Sequence, residues 1–85
     1  MDFTSYELTK HARGRLLERK ILFRHLEQTL ATPDVIGHDA EGHFLLKKGI
    51  VVRKAKRVLI VAGLFRGKVF RILTVIDSTK IDKYL

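Results

Sequence analysis

Cysteine is absent from the 85-residue chain, which excludes both a disulfide framework and a thiolate zinc site. A basic domain of this size without crosslinks fits a reducing compartment, and a cytoplasmic location is expected. Long hydrophobic runs are also missing. The longest, Val58 to Phe65, falls well short of the roughly 20 residues that a membrane helix needs. The opening residues, Met1 to Ser5, hold no basic segment leading into an apolar one, so neither a secretory signal nor a membrane partner is expected. No glycine-rich phosphate loop, Ser-His-Asp arrangement or paired carboxylate site is visible. Acidic residues are scarce: nine Asp and Glu face seventeen Lys and Arg, for a formal net charge of +8.

What is present suits one domain spanning residues 1–85. The hydrophobic fraction is 46%, ordinary for a globular chain and too high for a disordered one. A chain this short buries about 60–65% of its unfolded surface, so one modest core must carry most of the stability. The excess positive charge repels itself, and a polyanionic partner would offset that cost. RNA is the first candidate partner. An acidic protein, such as an antitoxin, would satisfy the same electrostatics.

Periodicity places two helices first. Thr9 is a good N-cap for a helix to about Lys20, whose last turn carries Arg19 and Lys20, the favoured charge there. A second helix is expected from about Phe23 to Ala31, with Leu22, Leu26, Thr29 and Leu30 on one stripe. It stops before Pro33, because the residue preceding proline disfavours helical backbone. The pattern then changes to strands: Val35–His38, His43–Lys48, Arg57–Leu64 and Val69–Asp77, with Gly49–Lys56 split between strand and exposed loop. Residues 1–8 read as a lead-in anchored by Phe3, Tyr6 and Leu8. The expected fold is α+β, with two N-terminal helices packed on a four-stranded antiparallel sheet. The helices would cover one face and leave the other as a working surface.

His11, Arg15 and Arg19 recur at i, i+4 and i+8, along one side of the first helix. A His between phosphate-holding arginines is what a metal-independent phosphodiesterase needs. The imidazole moves a proton near neutral pH, and guanidinium groups stabilise the charge building on phosphorus. The alternative is a solvated basic helix face. Arg13 and Lys10 make the opposite edge of the helix basic too. A second basic group runs through the strands, where Arg53, Arg57 and Arg71 are better phosphate ligands than the lysines because their donors are planar and forked. Tyr84 could stack on a base or pack over the sheet edge. His38 and His43 flank a turn with Asp39 and Glu41, but a metal site there lacks further ligands, and no metal or organic cofactor is expected.

The run Tyr6-x-Leu8-Thr9-x-His11-Ala12-x-x-Arg15-x-x-x-Arg19-x-Ile21 resembles the opening of a widespread family of short bacterial proteins classed as a domain of unknown function. Leu30-Ala31-Thr32-Pro33-Asp34-Val35-Ile36 and Ile72-Leu73-Thr74-Val75-Ile76 match its later parts. That family is similar to the RelE/ParE-like toxin superfamily, and the resemblance implies a RelE-like fold. It also implies a ribonuclease-like toxin of a toxin–antitoxin pair, with His11, Arg15 and Arg19 as catalytic residues. Arg57, Thr74 and Tyr84 match only loosely. On this reading Arg13, Arg53, Arg57, Arg71 and Tyr84 bind nucleic acid. A non-catalytic nucleic-acid-binding module and an interaction domain for an acidic protein are the alternatives. The chain departs from a ribonuclease pattern in having no evident carboxylate base beside its His.

Overall fold

The computed structural model describes residues 5–85, and the proposed anchor Phe3 lies outside them. The elements are β1 (Ser5–Leu8), α1 (Lys10–Glu18), α2 (Phe23–Ala31), β2 (Val35–His38), β3 (Phe44–Val52), β4 (Ala55–Arg66), β5 (Val69–Ser78) and α3 (Ile81–Tyr84). The sheet order is β1-β5-β4-β3-β2. The strands from β2 to β5 pair antiparallel, whereas β1 runs parallel to β5, with Ser5 opposite Val69 and Leu8 opposite Ile72.

This corrects the expected fold class. The sheet is five-stranded and mixed, and the described residues hold three helices rather than two. The lead-in is a strand because Ser5, Tyr6, Glu7 and Leu8 alternate between exposed and half-buried, the period of a sheet edge. Four residues are too few to declare that period, and the partner strand lies more than sixty residues along the chain. The ambiguous stretch after Gly49 resolves into one hairpin: Val52 faces Ala55 across a turn made by Arg53 and Lys54.

Helix α2 forms where the pattern placed it, whereas α1 ends at Glu18, short of the expected Lys20. Thr9 caps α1: its Oγ1 accepts from the Ala12 amide at 3.1 Å and donates to the Leu73 carbonyl at 3.2 Å. The same residue's amide reaches the Ile72 carbonyl at 3.1 Å, so the cap also ties the helix to β5. Leu73 is the extra residue of a bulge between Ala62 and Gly63. Gly63 is required there, because a Cβ would collide with the Arg71 carbonyl and the Phe70 ring.

Helices α1 and α2 bury Ala12, Leu16, Leu26 and Leu30 against Leu46, Leu59, Val61, Phe70, Ile72 and Val75 of the sheet. Each fully buried aliphatic or aromatic side chain contributes about 1.5–3 kcal/mol. The strand alternation turns Val58 and Ile60 to the opposite face, where they too are buried. There α3 packs on β4 and brings Leu85 close to Gly49. The second face is therefore partly covered, and the open space lies elsewhere.

Candidate functional site

That open space is a cleft of about 420 Å³ on the helix side of the sheet, at the end where the β3–β4 hairpin and the last residues of β5 meet the α1–α2 corner. Arg19, Lys20, Ile21 and Leu22 come from the corner, His25 from the first turn of α2, Ile50 and Val52 from β3, and Arg53, Ala55 and Arg57 from the hairpin and β4. Asp77 comes from β5. Four cations thus border the cleft, with a single carboxylate among its lining residues.

Each cation is placed by a local feature. Lys20 follows the end of α1 with φ of 54°. The Ile21 amide bonds back to the Leu16 carbonyl at 2.9 Å and the Lys20 amide to Leu17 at 3.3 Å. This is the paired closure that normally puts glycine at the Lys20 position. Arg53 and Lys54 make the two-residue hairpin turn with φ of 50° and 68°, a geometry that favours Asn-Gly because both central residues need positive φ. The β4–β5 turn follows the usual choice, with Gly67 at φ of 62°. Lys20, Arg53 and Lys54 are the only non-glycine residues with positive φ among the described residues, and all three are cations.

Arg57 is held by Asp77. Nε and Nη2 both donate to Oδ2, at 3.0 and 2.5 Å, while Oδ1 is buried with no hydrogen-bond partner among the described residues. The first turn of α2 is also unsatisfied. Its N-cap, Leu22, has no side-chain oxygen to offer, and the Phe23 and Arg24 amides find no acceptor among the described residues. His25 is 9% exposed, and its ring makes no hydrogen bond with a described residue.

The expected row from α1 divides. His11 and Arg15 border a shallow depression with Gly14 and Glu18, whereas Arg19 belongs to the cleft. The helix advances 100° per residue, so each step of four drifts by about 40°, and two steps carry Arg19 some 80° away from His11. Arg53 and Arg57 join Arg19. Arg13 is exposed on α1. Arg71 lies on the second face, within 3.4 Å of Glu7. Tyr84 lies on α3, its ring flanked by Lys47 and Lys83 at 5.8 and 5.4 Å. Neither Arg71 nor Tyr84 reaches the cleft.

His38 and His43 are used separately. His38 packs against the Phe44 ring with centroids 4.5 Å apart. His43 Nδ1 sits 2.9 Å from Asp39 Oδ2, and Asp39 Oδ1 accepts from the Glu41 and His43 amides. Partial burial pushes the Asp39 pKa up, but the amides and the His43 ring outweigh it, and the net shift is downward. Tyr6 moves the other way, raised by burial and by the Glu27 charge. Among the described residues, no cluster of three or more His, Cys, Asp or Glu is arranged to hold a metal, and no helix is long and apolar enough to cross a membrane.

No protein-family model, curated protein or solved structure matches this chain. The functional reading therefore stands on the cleft. The sequence did not single out His25, Lys20 or Asp77 as site residues. The one signal available for Lys20 was its place just past a helix end, where glycine is usual.

Proposed function

We propose that the protein binds RNA in the cytoplasm and that the cleft grips the phosphate groups of the strand. The observation that carries this is the backbone beneath the cations. Lys20 and Arg53 line the cleft and Lys54 follows Arg53 in the same hairpin turn, each held at positive φ. Glycine tolerates that region freely, whereas other L-residues incur about 1–2 kcal/mol. A cation at every such position trades stability for positive charge in one place, and strain of this kind clusters at working sites.

Calorimetric titration of a single-stranded RNA across a salt series tests the reading. Arg19→Gln and Arg53→Gln are each expected to weaken binding and to lower the salt slope by about 0.7, the value for one lost phosphate contact. Arg66→Gln, at the far hairpin, removes the same charge and should leave affinity nearly unchanged. Equal losses in all three would mean diffuse attraction to net charge, and the cleft would have no special role.

A ribonuclease-like toxin domain is the second reading, and His25 favours it. An imidazole beside arginines at a phosphate site can move the proton that strand cleavage requires. Cleavage by the parent protein that is lost in His25→Ala and kept in His11→Ala would support it. Absence of cleavage by the parent would leave a binding module. An acidic antitoxin, if one exists, would compete with RNA for the same cations.

A further inference from the structure

The cleft gathers four cations and several unused donors in one place. We infer that it holds a terminal phosphomonoester, the phosphorylated end of an RNA strand, rather than an internal diester; this rests on the RNA-binding reading above.

Charge density is the first argument. Arg19, Lys20, Arg53 and Arg57 meet one lining carboxylate, Asp77, whose Oδ2 is already engaged by Arg57. An internal diester brings one negative charge and two free oxygens. A phosphomonoester brings about 1.5–2 charges near neutral pH and three strong acceptor oxygens. The larger charge better offsets the positive charge that remains once Asp77 is set against the four cations.

Unused donors are the second. The nine-residue helix α2 starts without a side-chain cap, and the Phe23 and Arg24 amides, which find no acceptor among the described residues, fall between Leu22 and His25 of the cleft lining, at the positive end of the helix dipole. Independently, His25 is nine-tenths buried, borders the same cleft, and has an imidazole without a hydrogen-bond partner among the described residues. Two amides, an imidazole and forked guanidinium groups make a set of donors suited to a group presenting three oxygens.

Shape is the third. The cleft is lined by the α1–α2 corner, the β3–β4 hairpin and the end of β5. Its volume of about 420 Å³ falls within the range of small-ligand sites, about 300–1,000 Å³. That accommodates one terminal nucleotide.

The test is label-free calorimetry with one single-stranded RNA in three forms: 5′-phosphorylated, 3′-phosphorylated, and hydroxyl at both ends. A phosphorylated form is expected to bind about tenfold or more tightly than the hydroxyl form, the gain of one or two charge-assisted hydrogen bonds. Arg53→Gln should erase most of that preference, and Arg66→Gln should preserve it. Leu22→Asn places a capping oxygen on the open amides; it should raise thermal stability while reducing the preference for the phosphorylated end. Uridine monophosphate should displace the phosphorylated RNA. Equal binding of all three forms would overturn the inference and leave the RNA-binding reading intact. Failure of every RNA to bind, with the monophosphate alone binding, would overturn the RNA reading and identify a free nucleotide as the source of the phosphomonoester. Failure of both probes would overturn both.

Discussion

Arg57 sends two donors to one oxygen of Asp77, and the other oxygen of that carboxylate is buried with no partner among the described residues. The pair links β4 to β5 where both line the cleft, and it also engages a cation of the proposed phosphate site. Two of its roles therefore oppose each other. Arg57 is about a third exposed and Asp77 largely buried, so solvent screens the attraction only in part.

Asp77→Asn separates these roles. The substitution keeps the shape and removes the charge that holds Arg57. Stability should fall by about 1–2 kcal/mol, while affinity for inorganic phosphate should rise severalfold as Arg57 becomes available. Thermal unfolding and calorimetric titration read the two effects. A fall in both would mean that Asp77 holds Arg57 in its binding position.

The left-handed cations make a second case. Lys20→Gly, and replacement of Arg53-Lys54 by Asn-Gly, remove steric strain at positions that demand positive φ. Each site changed should gain about 1 kcal/mol of stability, and RNA affinity should drop in the same variants. Chemical denaturation and binding on one set of proteins check it. Gains in stability with no loss of binding would show that the strain serves nothing at the cleft.

Thr9 offers a purely structural prediction. It caps α1 and donates to the Leu73 carbonyl beside the β5 bulge. Thr9→Ala should cost about 1 kcal/mol or somewhat more, at the upper part of the range for lost caps. Thr9→Ser keeps both bonds and should lie close to the parent. Amide exchange should quicken in the first turn of α1 in the alanine variant.

Asp39 governs the β2–β3 turn through the amides of Glu41 and His43 and the His43 ring. Its folded-state pKa is lowered, so its contribution to stability is present above the unfolded value of about 3.9. That contribution is lost as pH falls through the folded-state pKa. Asp39→Asn should therefore melt below the parent at neutral pH, and the gap should narrow in acid. A carboxyl titration followed by NMR should place Asp39 below the ordinary aspartate value.

The elements stabilised by their own neighbours were visible in advance. Thr9 at a helix start, the stripe of Leu22, Leu26, Thr29 and Leu30, and Pro33 at a helix end all act within a few residues. The same is true of Gly67 in the β4–β5 turn. Strand β1 was not visible, because a four-residue parallel edge strand owes its existence to β5. The β3–β4 turn escaped notice because Arg53 and Lys54 are the wrong residues for it by local preference. Spacing of four along α1 suggests a straight row, and the drift of successive steps separates Arg19 from His11.

Composition and local pattern by themselves determined a strongly basic chain, its two main helices and four of its strands. Tertiary structure decided the fifth strand and the place where positive charge converges. The physical reason is distance along the chain. Hydrogen bonds within a turn and side chains along one helix face are set by adjacent residues, whereas the cleft needs residues 19–25, 50–57 and 77 to meet. Only the packing of α1 and α2 against the far end of the sheet brings those segments together, and no local preference encodes that meeting.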